Sequence, residues 1–465
     1  MKEGKHMYQI DFNTPCSVYF VGIGGVSMSG LAEILADAGF KVSGSDRSRS
    51  ALTERLEAKE ITVFYGQRAE NITDDLDFVV FTSAIHPDNP EYVAAHEKQI
   101  PCLTRAQLLG QLMKQYDTPI AISGTHGKTT TTSMISEILL CADTDPTLSI
   151  GGVLKKVGGN IRIGHSGYFV TEACEYTNSF LSFFPKIGVI LNIEEDHLDF
   201  FKDLSDIRAS FRKFAQLLPE DGCLIIGSAV ENISEITEGL KCRVITFGMD
   251  PSSDCYPTDL VYNEFGHPRF TVHGHNGSRR EISLKIPGEY NILNALAAIA
   301  LADYLEISPD CTAAALASFT GADRRFEYKG CIGGVNVIDD YAHHPSEISA
   351  ALQAAQKYPH KTLWCVFQPH TYTRTKAFLK EFAQALTYAD KVVLADIYAA
   401  RETDHLGISS ETLKAEVEAL GQECYYFPTF DEIENFLLEN CINGDLLITM
   451  GAGDVLKIGE NLLGI

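Results

Sequence analysis

The stretch SGTHGKTTTT, residues 123–132, combines the residue types that bind nucleotide phosphates. Lys128 can neutralise terminal phosphates, and the Thr129 hydroxyl can bind Mg²⁺. The common phosphate loop opens with a glycine at the position where this chain has Ile122, so the loop here opens at Gly124 instead. An apolar strand precedes it and a helical pattern follows it. We therefore predict a nucleoside-triphosphate site, the alternative being a chance Gly-Lys-Thr before a helix.

Oxygen ligands for a metal are expected close to this loop if it holds ATP with Mg²⁺. Glu172 ends the apolar stretch SGYFVTEA, and His197 follows the stretch KIGVILNIE. The carboxyl ends of parallel strands share one edge of a sheet, and the phosphate loop lies on that edge. We predict a metal site made by Thr129, Glu172 and His197. Taken singly, an acidic residue after a strand is often a helix cap and a lone histidine is usually structural.

Two adjacent arginines, Arg324 and Arg325, lie in GADRRFEYKG at a predicted domain junction. An arginine that reaches a transferring phosphoryl group can raise the rate by about 10³–10⁵. A surface arginine pair in a linker explains the same two residues equally well. The pair is therefore a candidate for phosphate binding, with both interpretations open.

Polar residues are dense in two segments of the C-terminal region, VIDDYAHHPSE and FQPHTYTRTK, each of which follows a predicted strand. Arginine suits a carboxylate ligand because it binds through two parallel hydrogen bonds. Loops this rich in His, Asp and Arg are more often functional than structural. The candidate residues are Asp339, Asp340, His343, His344, His370 and Arg374.

A second glycine loop, GIGGVSMSG at residues 22–30, lies between a strand and a helix near the N-terminus. Backbone N–H groups at a helix N-terminus attract phosphate, and Asp46 ends the next strand, where a dinucleotide-binding protein holds a ribose. The dinucleotide pattern needs a third glycine that this loop lacks, so NAD binding has little support. Another phosphate ligand is the favoured interpretation, and a tight turn without a ligand is the alternative.

These loops require parallel sheets to position them, and the chain alternates short apolar strands with helical patterns throughout. The rhythm predicts three α/β domains, at residues 1–106, 107–321 and 322–465. The first would be a Rossmann-like parallel sheet, the second a P-loop-type ATPase domain and the third a Rossmann-like α/β domain. Residues 242–290 are richer in turns and short alternating strands.

Composition restricts the class of protein. The chain has 465 residues and a formal net charge of −24, which argues against a nucleic-acid or anionic-membrane partner. Its N-terminus lacks the apolar segment of a signal peptide, and no apolar run is long enough to span a bilayer. The 12 cysteines include no C-x-x-C pair, which predicts free thiols in the cytoplasm and argues against a zinc site. Cys174 alone lies in a chemically crowded stretch.

Taken together and in this order, seven motifs resemble the Mur ligases of bacterial cell-wall synthesis, over nearly the whole chain. The motifs are GTHGKTTTT, E-A-x-E, N-I-E-x-D-H-L-D, GEYNILNALAA, RRFE, DDYAHHP and FQPHTYTRT. Within the family, GIGGVSMSGLA and DDYAHHPSE are most similar to the members that join L-alanine to UDP-N-acetylmuramate. The resemblance implies an ATP- and Mg²⁺-dependent cytoplasmic enzyme of peptidoglycan precursor synthesis, monomeric or homodimeric, with no nucleic-acid partner and no membrane insertion.

The resemblance also implies roles for residues in the central region. The ATP ligands would be Gly124, Thr125, His126, Gly127, Lys128, Thr129, Thr130 and Arg325, with Asn291 and Asn294 on the adenine side. Thr129 and Glu172 would bind one Mg²⁺, and Glu172 and His197 a second.

For the two other substrates the resemblance implies separate groups of residues. The UDP-sugar would be bound by Gly22, Gly24, Gly25, Ser27, Asp46 and Ser83. Asp340 resembles an essential acidic residue, and His343, His344, His370 and Arg374 would surround the amino acid. The residues expected to take part in catalysis are Lys128, Glu172, His197, Arg325, Asp340 and His343.

A carboxylate is a poor electrophile for amide formation, because its leaving group would be oxide. Phosphorylation by ATP replaces that oxide with a good leaving group. The expected reaction converts the lactyl carboxylate into an acyl phosphate, which the amine of L-alanine then attacks.

Two other functions remain compatible with the sequence. A nicotinamide-dependent oxidoreductase would use the first glycine loop and Asp46, and a non-catalytic relative would bind ATP without alanine-dependent phosphate release.

Overall fold

The computed structural model describes residues 7–82, 85–198, 200–400, 402–404 and 406–465. Four sheets follow one another along the chain, and helices cover the faces of the three larger ones. The predicted arrangement of three α/β domains is confirmed by three large, mainly parallel sheets that follow one another along the chain. The expectation for Ser83 falls outside the described residues.

The first sheet has five parallel strands in the order β3-β2-β1-β4-β5. Its strands are β1 Ser17–Val21, β2 Lys41–Asp46, β3 Thr62–Tyr65, β4 Phe78–Phe81 and β5 Cys102–Thr104. Its helices are α1 Val26–Asp37, α2 Ala51–Ala58, α3 Pro90–Glu97 and α4 Arg105–Met113, with a short 3₁₀ turn at Ala69–Asn71. The central strands β1 and β4 are almost wholly buried, as continuous apolar runs require.

The second sheet has seven strands in the order β12-β11-β10-β6-β9-β7-β8, with only β8 antiparallel to its neighbour. Its strands are β6 Thr118–Ser123, β7 Thr147–Leu154, β8 Gly159–Arg162, β9 Tyr168–Glu172, β10 Ile187–Ile190, β11 Cys223–Gly227 and β12 Arg243–Phe247. The carboxyl ends of β6, β9, β10, β11 and β12 therefore lie along one edge. That edge carries the candidate site.

Five helices accompany this sheet, together with a 3₁₀ segment at Tyr176–Ser182. They are α5 Lys128–Cys141, α6 Leu204–Ala215, α7 Ile233–Thr237, α8 Glu289–Tyr304 and α9 Pro309–Ser318. Helix α8 is apolar around most of its circumference and packs against α5, so it is buried on nearly every side. The packing of α8 against α5 fixes the start of α5, where the phosphate loop ends.

Residues 256–283 form a small antiparallel sheet in the order β13-β14-β15. Its strands are β13 Tyr256–Tyr262, β14 Pro268–His273 and β15 Arg279–Ser283. The short alternating strands predicted between residues 242 and 290 include these three.

The last sheet has six strands in the order β16-β17-β21-β18-β19-β20. They are β16 Glu327–Ile332, β17 Val335–Asp340, β18 Leu363–Phe367, β19 Lys391–Leu394, β20 Glu423–Tyr426 and β21 Leu446–Met450. The helices are α10 Pro345–Gln356, α11 Tyr372–Ala377, α12 Leu379–Leu386, α13 Ser410–Ala419, α14 Phe430–Asn440 and α15 Leu456–Leu463.

One edge of this last sheet departs from a purely parallel arrangement. Strand β16 pairs antiparallel with β17 through the two-residue turn Gly333-Gly334, and both glycines have positive φ, of 58° and 83°. Such a turn matches the twist of a hairpin and strongly favours glycine. Among the described residues, no helix has the length and apolar character needed to cross a membrane.

Candidate active site

The phosphate loop joins β6 to α5 and has the backbone conformation that its glycines allow. Gly124 and Gly127 have φ of 138° and 85°, in the region that side chains disfavour. A Cβ at Gly127 would also collide with the amide oxygen of Asn294. The Thr131 hydroxyl donates to that same oxygen over 3.2 Å, so α8 supports the loop from below.

Lys128 lies at the start of α5, and its ammonium already has hydrogen-bond and ion-pair partners within the protein. Its ammonium donates to the carbonyls of Gly124 and Thr125 and forms an ion pair with Glu175, Nζ to Oε2, over 3.1 Å. Burial opposes the charge on Lys128, but Glu175, Cys174 and Glu172 together outweigh burial and raise the pKa of the lysine. The loop therefore presents a fully protonated lysine, balanced by a carboxylate that is only 2% exposed.

Two of the three predicted metal ligands, Thr129 and Glu172, lie within hydrogen-bond distance of each other. The Thr129 hydroxyl lies 3.2 Å from Glu172 Oε2, and Glu172 Oε1 accepts from the Gly151 N–H over 2.6 Å. Neighbouring hydroxyl and carboxylate oxygens are the donors that Mg²⁺ prefers, so this pair fits that ion.

The third predicted ligand, His197, lies on the same sheet edge but packs differently. Its φ is 53°, its ring lies 4.5 Å from that of Tyr176, and its Nε2 is 3.7 Å from Asp196 Oδ2. Burial lowers the pKa of His197, which favours the neutral imidazole. Among the residues that the structure describes, no hydrogen bond joins His197 to Thr129 or Glu172.

A cavity of about 680 Å³ opens beside the loop, along the carboxyl ends of β10, β11 and β12. This volume suits a nucleotide-sized ligand. Apolar and backbone groups that follow β11 and β12 form one part of the wall. The predicted site residues that line it are His126, Gly127, Thr130, Asn291, Asn294, Arg325 and Asp340.

Asn291 and Asn294 lie in the first turns of α8 and are both buried. The Asn291 amide donates to the Pro287 carbonyl over 2.7 Å, and the Asn294 amide donates to Asn291 Oδ1 over 3.2 Å. These bonds fix two polar side chains between the cavity and the phosphate loop.

Arg325 and Asp340 bring the C-terminal region to the cavity. Asp340 accepts from the N–H groups of Phe326 and Ala342 over 2.8 and 2.5 Å. Burial raises its pKa to about 6, against the opposing effect of Arg325. The Arg325 guanidinium lies 5.1 Å from the Tyr341 ring. The preceding Arg324 has a different role, since it pairs with Asp339 over 3.0 Å.

The polar residues predicted to bind an amino acid lie close together. The rings of His343 and His370 are 5.6 Å apart, and Arg374 approaches His370 Nδ1 at 3.3 Å. Burial lowers the pKa of His343 to about 3, so its imidazole is uncharged near neutral pH. Arg374 also forms an ion pair with Asp196 over 3.0 Å, which ties α11 to the segment after β10.

His126 and His344 lie between the two regions. The His126 ring approaches Glu347 Oε1 through Nδ1 at 3.0 Å and the Ser346 hydroxyl through Nε2 at 3.0 Å. His344 caps α10, and its Nδ1 lies 2.8 Å from the same hydroxyl. Sequence reasoning placed His126 with phosphate and His344 with the amino acid, whereas the structure brings them together.

The first glycine loop joins β1 to α1 and lies beside the neighbouring strand. The N–H of Gly24 donates to Asp46 Oδ2 over 2.9 Å, while Gly25 begins α1 without a side-chain cap. Gly22 has a φ of 82°. The Ser27 hydroxyl accepts a hydrogen bond from Arg105 over 2.9 Å.

Three contacts of this site were not predicted from the sequence. Glu175 holds Lys128, Glu347 holds His126, and Arg105 reaches Ser27. The two acidic residues could have been found from the sequence, because Glu175 is the second carboxylate of the E-A-x-E motif and Glu347 ends HHPSE.

Burial and the nearby Glu175 raise the pKa of Cys174, so its thiol is protonated.

The chain matches three family models along its length. They are described as Mur ligase family, catalytic domain, over residues 17–117, Mur ligase middle domain, over 122–302, and Mur ligase, glutamate ligase domain, over 324–453.

Curated proteins and solved structures give the same result. A UDP-N-acetylmuramate–L-alanine ligase from Lachnospira eligens is 57% identical, over 98% of this chain and 100% of that protein. The crystal structure of the UDP-N-acetylmuramate-alanine ligase MurC from Thermotoga maritima is similar with a TM-score of 0.81 and 29% identity, covering 97% of this chain and 98% of that one. A murein peptide ligase from Psychrobacter arcticus gives a TM-score of 0.72 and 25% identity over 97% and 98% of the two chains.

Proposed function

The chain belongs to the Mur ligase family, and we propose that it is the ATP-dependent enzyme that joins L-alanine to the lactyl carboxylate of UDP-N-acetylmuramate. The product would be a precursor of peptidoglycan. The observation that carries the proposal is the cavity of about 680 Å³ that the phosphate loop shares with Arg325 and Asp340. Identity of 57% over the full length of an alanine-adding relative supports the choice of substrates.

The division of the chain into three parts, 1–106, 107–321 and 322–465, assigns one substrate to each. We place the UDP-sugar on the first glycine loop, ATP on the second loop and the amino acid by His343, His370 and Arg374. The strands of the large sheets fall within these three ranges, which supports the division, although helix α4 crosses the boundary between residues 106 and 107. The oligomeric state, a monomer or a homodimer, stays a prediction.

Lys128 is the residue that changes partner when ATP binds. In the structure Glu175 and two carbonyls hold its ammonium, so a terminal phosphate would replace neutral contacts and share the lysine with Glu175. Arg325 would bring a second positive charge to the same phosphates from across the cavity. Asp340 positions Arg325 by fixing the backbone at Phe326 and Ala342.

Thr129 and Glu172 would hold Mg²⁺, with His197 as a further candidate. When bound, this ion would neutralise phosphate charge and polarise the phosphorus for attack. Glu172 is already oriented for this by the Gly151 N–H.

The reaction that follows has two displacements. A carboxylate oxygen of the sugar attacks the γ-phosphorus, the bond to ADP breaks, and an acyl phosphate forms. The ammonium of L-alanine loses a proton to water before closure, the resulting neutral amine attacks the carbonyl carbon, and phosphate leaves with that carboxylate oxygen while the new amide nitrogen loses its second proton. The uncharged His343 does not repel the incoming ammonium, and Arg374 has further N–H groups for the carboxylate of alanine.

Closing of the three parts would exclude water, since water hydrolyses an acyl phosphate. The ion pair of Arg374 with Asp196 and the contact of His126 with Glu347 already join the central and C-terminal regions. These contacts are the ones on which closure would depend.

Phosphate release from ATP in the presence of UDP-N-acetylmuramate tests the proposal. L-Alanine, glycine, L-serine and a tripeptide are compared as the second substrate, with Lys128→Met as the inactive control. The proposal requires release that depends on an amino acid and is fastest with L-alanine. Release only with the tripeptide would assign the chain to murein recycling instead.

A further inference from the structure

Three side chains with metal-binding atoms converge at the seam between the phosphate loop and α10. His126 comes from the loop, Glu194 from the segment after β10, and His344 from the cap of α10. One ligand atom from each lies within 4.8 Å of the other two. His126 Nε2 is 3.4 Å from Glu194 Oε2, and the two imidazole rings are 5.0 Å apart.

The surroundings of His126 resemble the outer shell of a metal centre. A histidine ligand normally directs its second ring nitrogen at a carboxylate or carbonyl, which fixes the ring. Here Glu347 Oε1 lies 3.0 Å from His126 Nδ1, and this leaves Nε2 on the side of Glu194 and Ser346. Glu347 is thus an orienting residue for His126.

His344 gives a second, independent indication. The residue is 6% exposed, and its Nε2 is buried without a hydrogen-bond partner among the described residues. A buried nitrogen without a partner is unfavourable, because it has lost its hydrogen bonds to water and gained none in return. Its Nδ1 and His126 Nε2 both approach the Ser346 hydroxyl, at 2.8 and 3.0 Å, so two imidazoles converge on one small polar group.

We propose that His126, Glu194 and His344 form a binding site for one divalent transition-metal ion of the Zn²⁺ or Co²⁺ type. Imidazole nitrogens with one carboxylate suit these ions, whereas Mg²⁺ prefers oxygen ligands such as Thr129 and Glu172. The chain would thus bind the two kinds of ion at separate places. The cysteine spacing argued against zinc, but this site uses no cysteine.

Metal binding requires a proton to leave His126 and the ligand atoms to move together. Burial lowers the pKa of His126, but Glu347 and Glu194 outweigh burial and raise it to about 10, so the ion must displace a proton from this imidazole. Tetrahedral ligands about 2.0–2.1 Å from zinc are about 3.4 Å apart, so the atoms must move together from separations of up to 4.8 Å. The Glu194 side chain is 45% exposed and can move, while the two histidines are held more firmly. Ser346 or water can complete the coordination.

A bound ion would inhibit the ligase. His126 and Glu194 line the cavity, and His344 caps α10, whose residues Ser346 and Glu347 also line it. The ion would therefore connect the phosphate loop to the C-terminal region. It would also engage His126, which would then no longer be available to the nucleotide. Inhibition rests on the proposed function, whereas metal binding does not.

Binding is tested on the full chain without substrates, by titration with Co²⁺ and measurement of its visible absorption. The wild-type protein is expected to bind one equivalent with bands of a four- or five-coordinate ion and without thiolate charge transfer. Glu194→Gln and His344→Gln should each weaken binding at least about 10- to 100-fold, as loss of even an outer-shell partner does. Circular dichroism checks that both variants are folded.

Two matched controls separate this cluster from other donors. Glu195→Gln changes the adjacent exposed carboxylate, and Cys331→Ser removes an exposed thiol. Both should bind Co²⁺ like the wild type. Equal affinity in all variants, loss of binding in Cys331→Ser, or no saturable binding in the wild type would each overturn the proposal.

A second readout uses Zn²⁺ inhibition of phosphate release at a fixed excess of Mg²⁺. The wild type should be inhibited, and Glu194→Gln should need about 10- to 100-fold more Zn²⁺ for the same fractional inhibition. Equal sensitivity of the two proteins would overturn the inhibitory role. An inactive wild type would refute the proposed function while the Co²⁺ titration still tests the metal site.

Discussion

The two glycine loops occupy equivalent places, each between a strand and a helix at the carboxyl edge of a parallel sheet, yet they offer different chemistry. The loop before α1 has no lysine, and its Gly24 N–H is bound by the carboxylate of Asp46. The loop before α5 has Lys128, with Glu175 as its charge partner, and is supported by Asn294. Only the second loop carries a cation of its own, whereas the cation that contacts the first loop is Arg105 of α4, which donates to Ser27.

This difference explains how one chain can treat two nucleotides differently. The diphosphate of a UDP-sugar must be held but not broken, and backbone N–H groups suffice for holding. The γ-phosphate of ATP must be transferred, and charge development there calls for a cation placed in advance. We expect substitutions in the two loops to separate these tasks.

The largest effect is expected for Lys128→Met. Loss of the charge should lower kcat/KM for ATP by about 10³, similar to the loss of a transition-state donor. The affinity for UDP-N-acetylmuramate, measured by calorimetry, should be unchanged. Lys241→Met, at an exposed lysine far from the loop, is the control.

The same substitution should also destabilise the protein, since it leaves Glu175 buried and unpaired. Removal of one partner of a buried pair costs about 3–5 kcal/mol. The double variant Lys128→Met/Glu175→Gln should recover most of the free energy of unfolding but none of the activity. If the double variant were active, the role assigned to Lys128 would be wrong.

A pH dependence of the free energy of unfolding, of intermediate size, is expected from Asp340, which lines the cavity beside the second loop. Its folded pKa of about 6 exceeds the ordinary value of 3.8, so the folded protein binds this proton more tightly than the unfolded chain. Stability from this group is therefore present below pH 3.8 and is lost as pH rises to about 6, by about 3 kcal/mol.

Denaturation at several pH values compares the wild type with Asp340→Asn. The variant should lack this part of the decline between pH 4 and 6. An identical slope in both proteins would show that Asp340 does not titrate in that window.

Glycine substitutions provide the sharpest comparison of the two loops. In Gly127→Ala the new methyl group would collide with Asn294, and in Gly24→Ala it would lie 2.7 Å from Asp46 Oδ2. We expect Gly127→Ala to raise KM for ATP alone and Gly24→Ala to raise KM for the UDP-sugar alone, each by about 10-fold or more through about 1–3 kcal/mol of overpacking. Gly158→Ala is the control, because its φ is 70° but nothing lies within 4 Å of the added carbon.

The smallest effect is expected for Asp46→Asn. The amide oxygen can still accept from Gly24, so only the added strength of a charged acceptor is lost, about 1 kcal/mol. Steady-state kinetics should show KM for the UDP-sugar raised about 5-fold and KM for ATP unchanged. A changed KM for ATP would mean that the loops do not act separately.

Much of this arrangement could be predicted from residue types and local spacing. Apolar runs followed by glycine, lysine and threonine were enough to predict the strand, loop and helix around Lys128, and the ordered motifs identified the family. The hairpin at Gly333-Gly334 was not predicted, although two glycines between apolar runs are a turn signal.

Contacts between distant segments could not be predicted. Glu175 reaches Lys128 because the segment after β9 turns back over the phosphate loop, and His126 meets His344 only through the approach of α10. The motifs E-A-x-E and DDYAHHP single out Glu175 and His344, but no local signal in the sequence identifies the side chain that each one contacts. The roles assigned to Glu172, His197 and Arg374 stay predictions until they are tested.

The central claim is that the second loop holds ATP in order to activate the carboxylate of the sugar. UDP-N-acetylmuramate with ¹⁸O in both oxygens of the lactyl carboxylate tests it directly. Mass spectrometry of the phosphate released during ligation should find one ¹⁸O per phosphate, with the other label in the amide. Unlabelled phosphate would contradict the account.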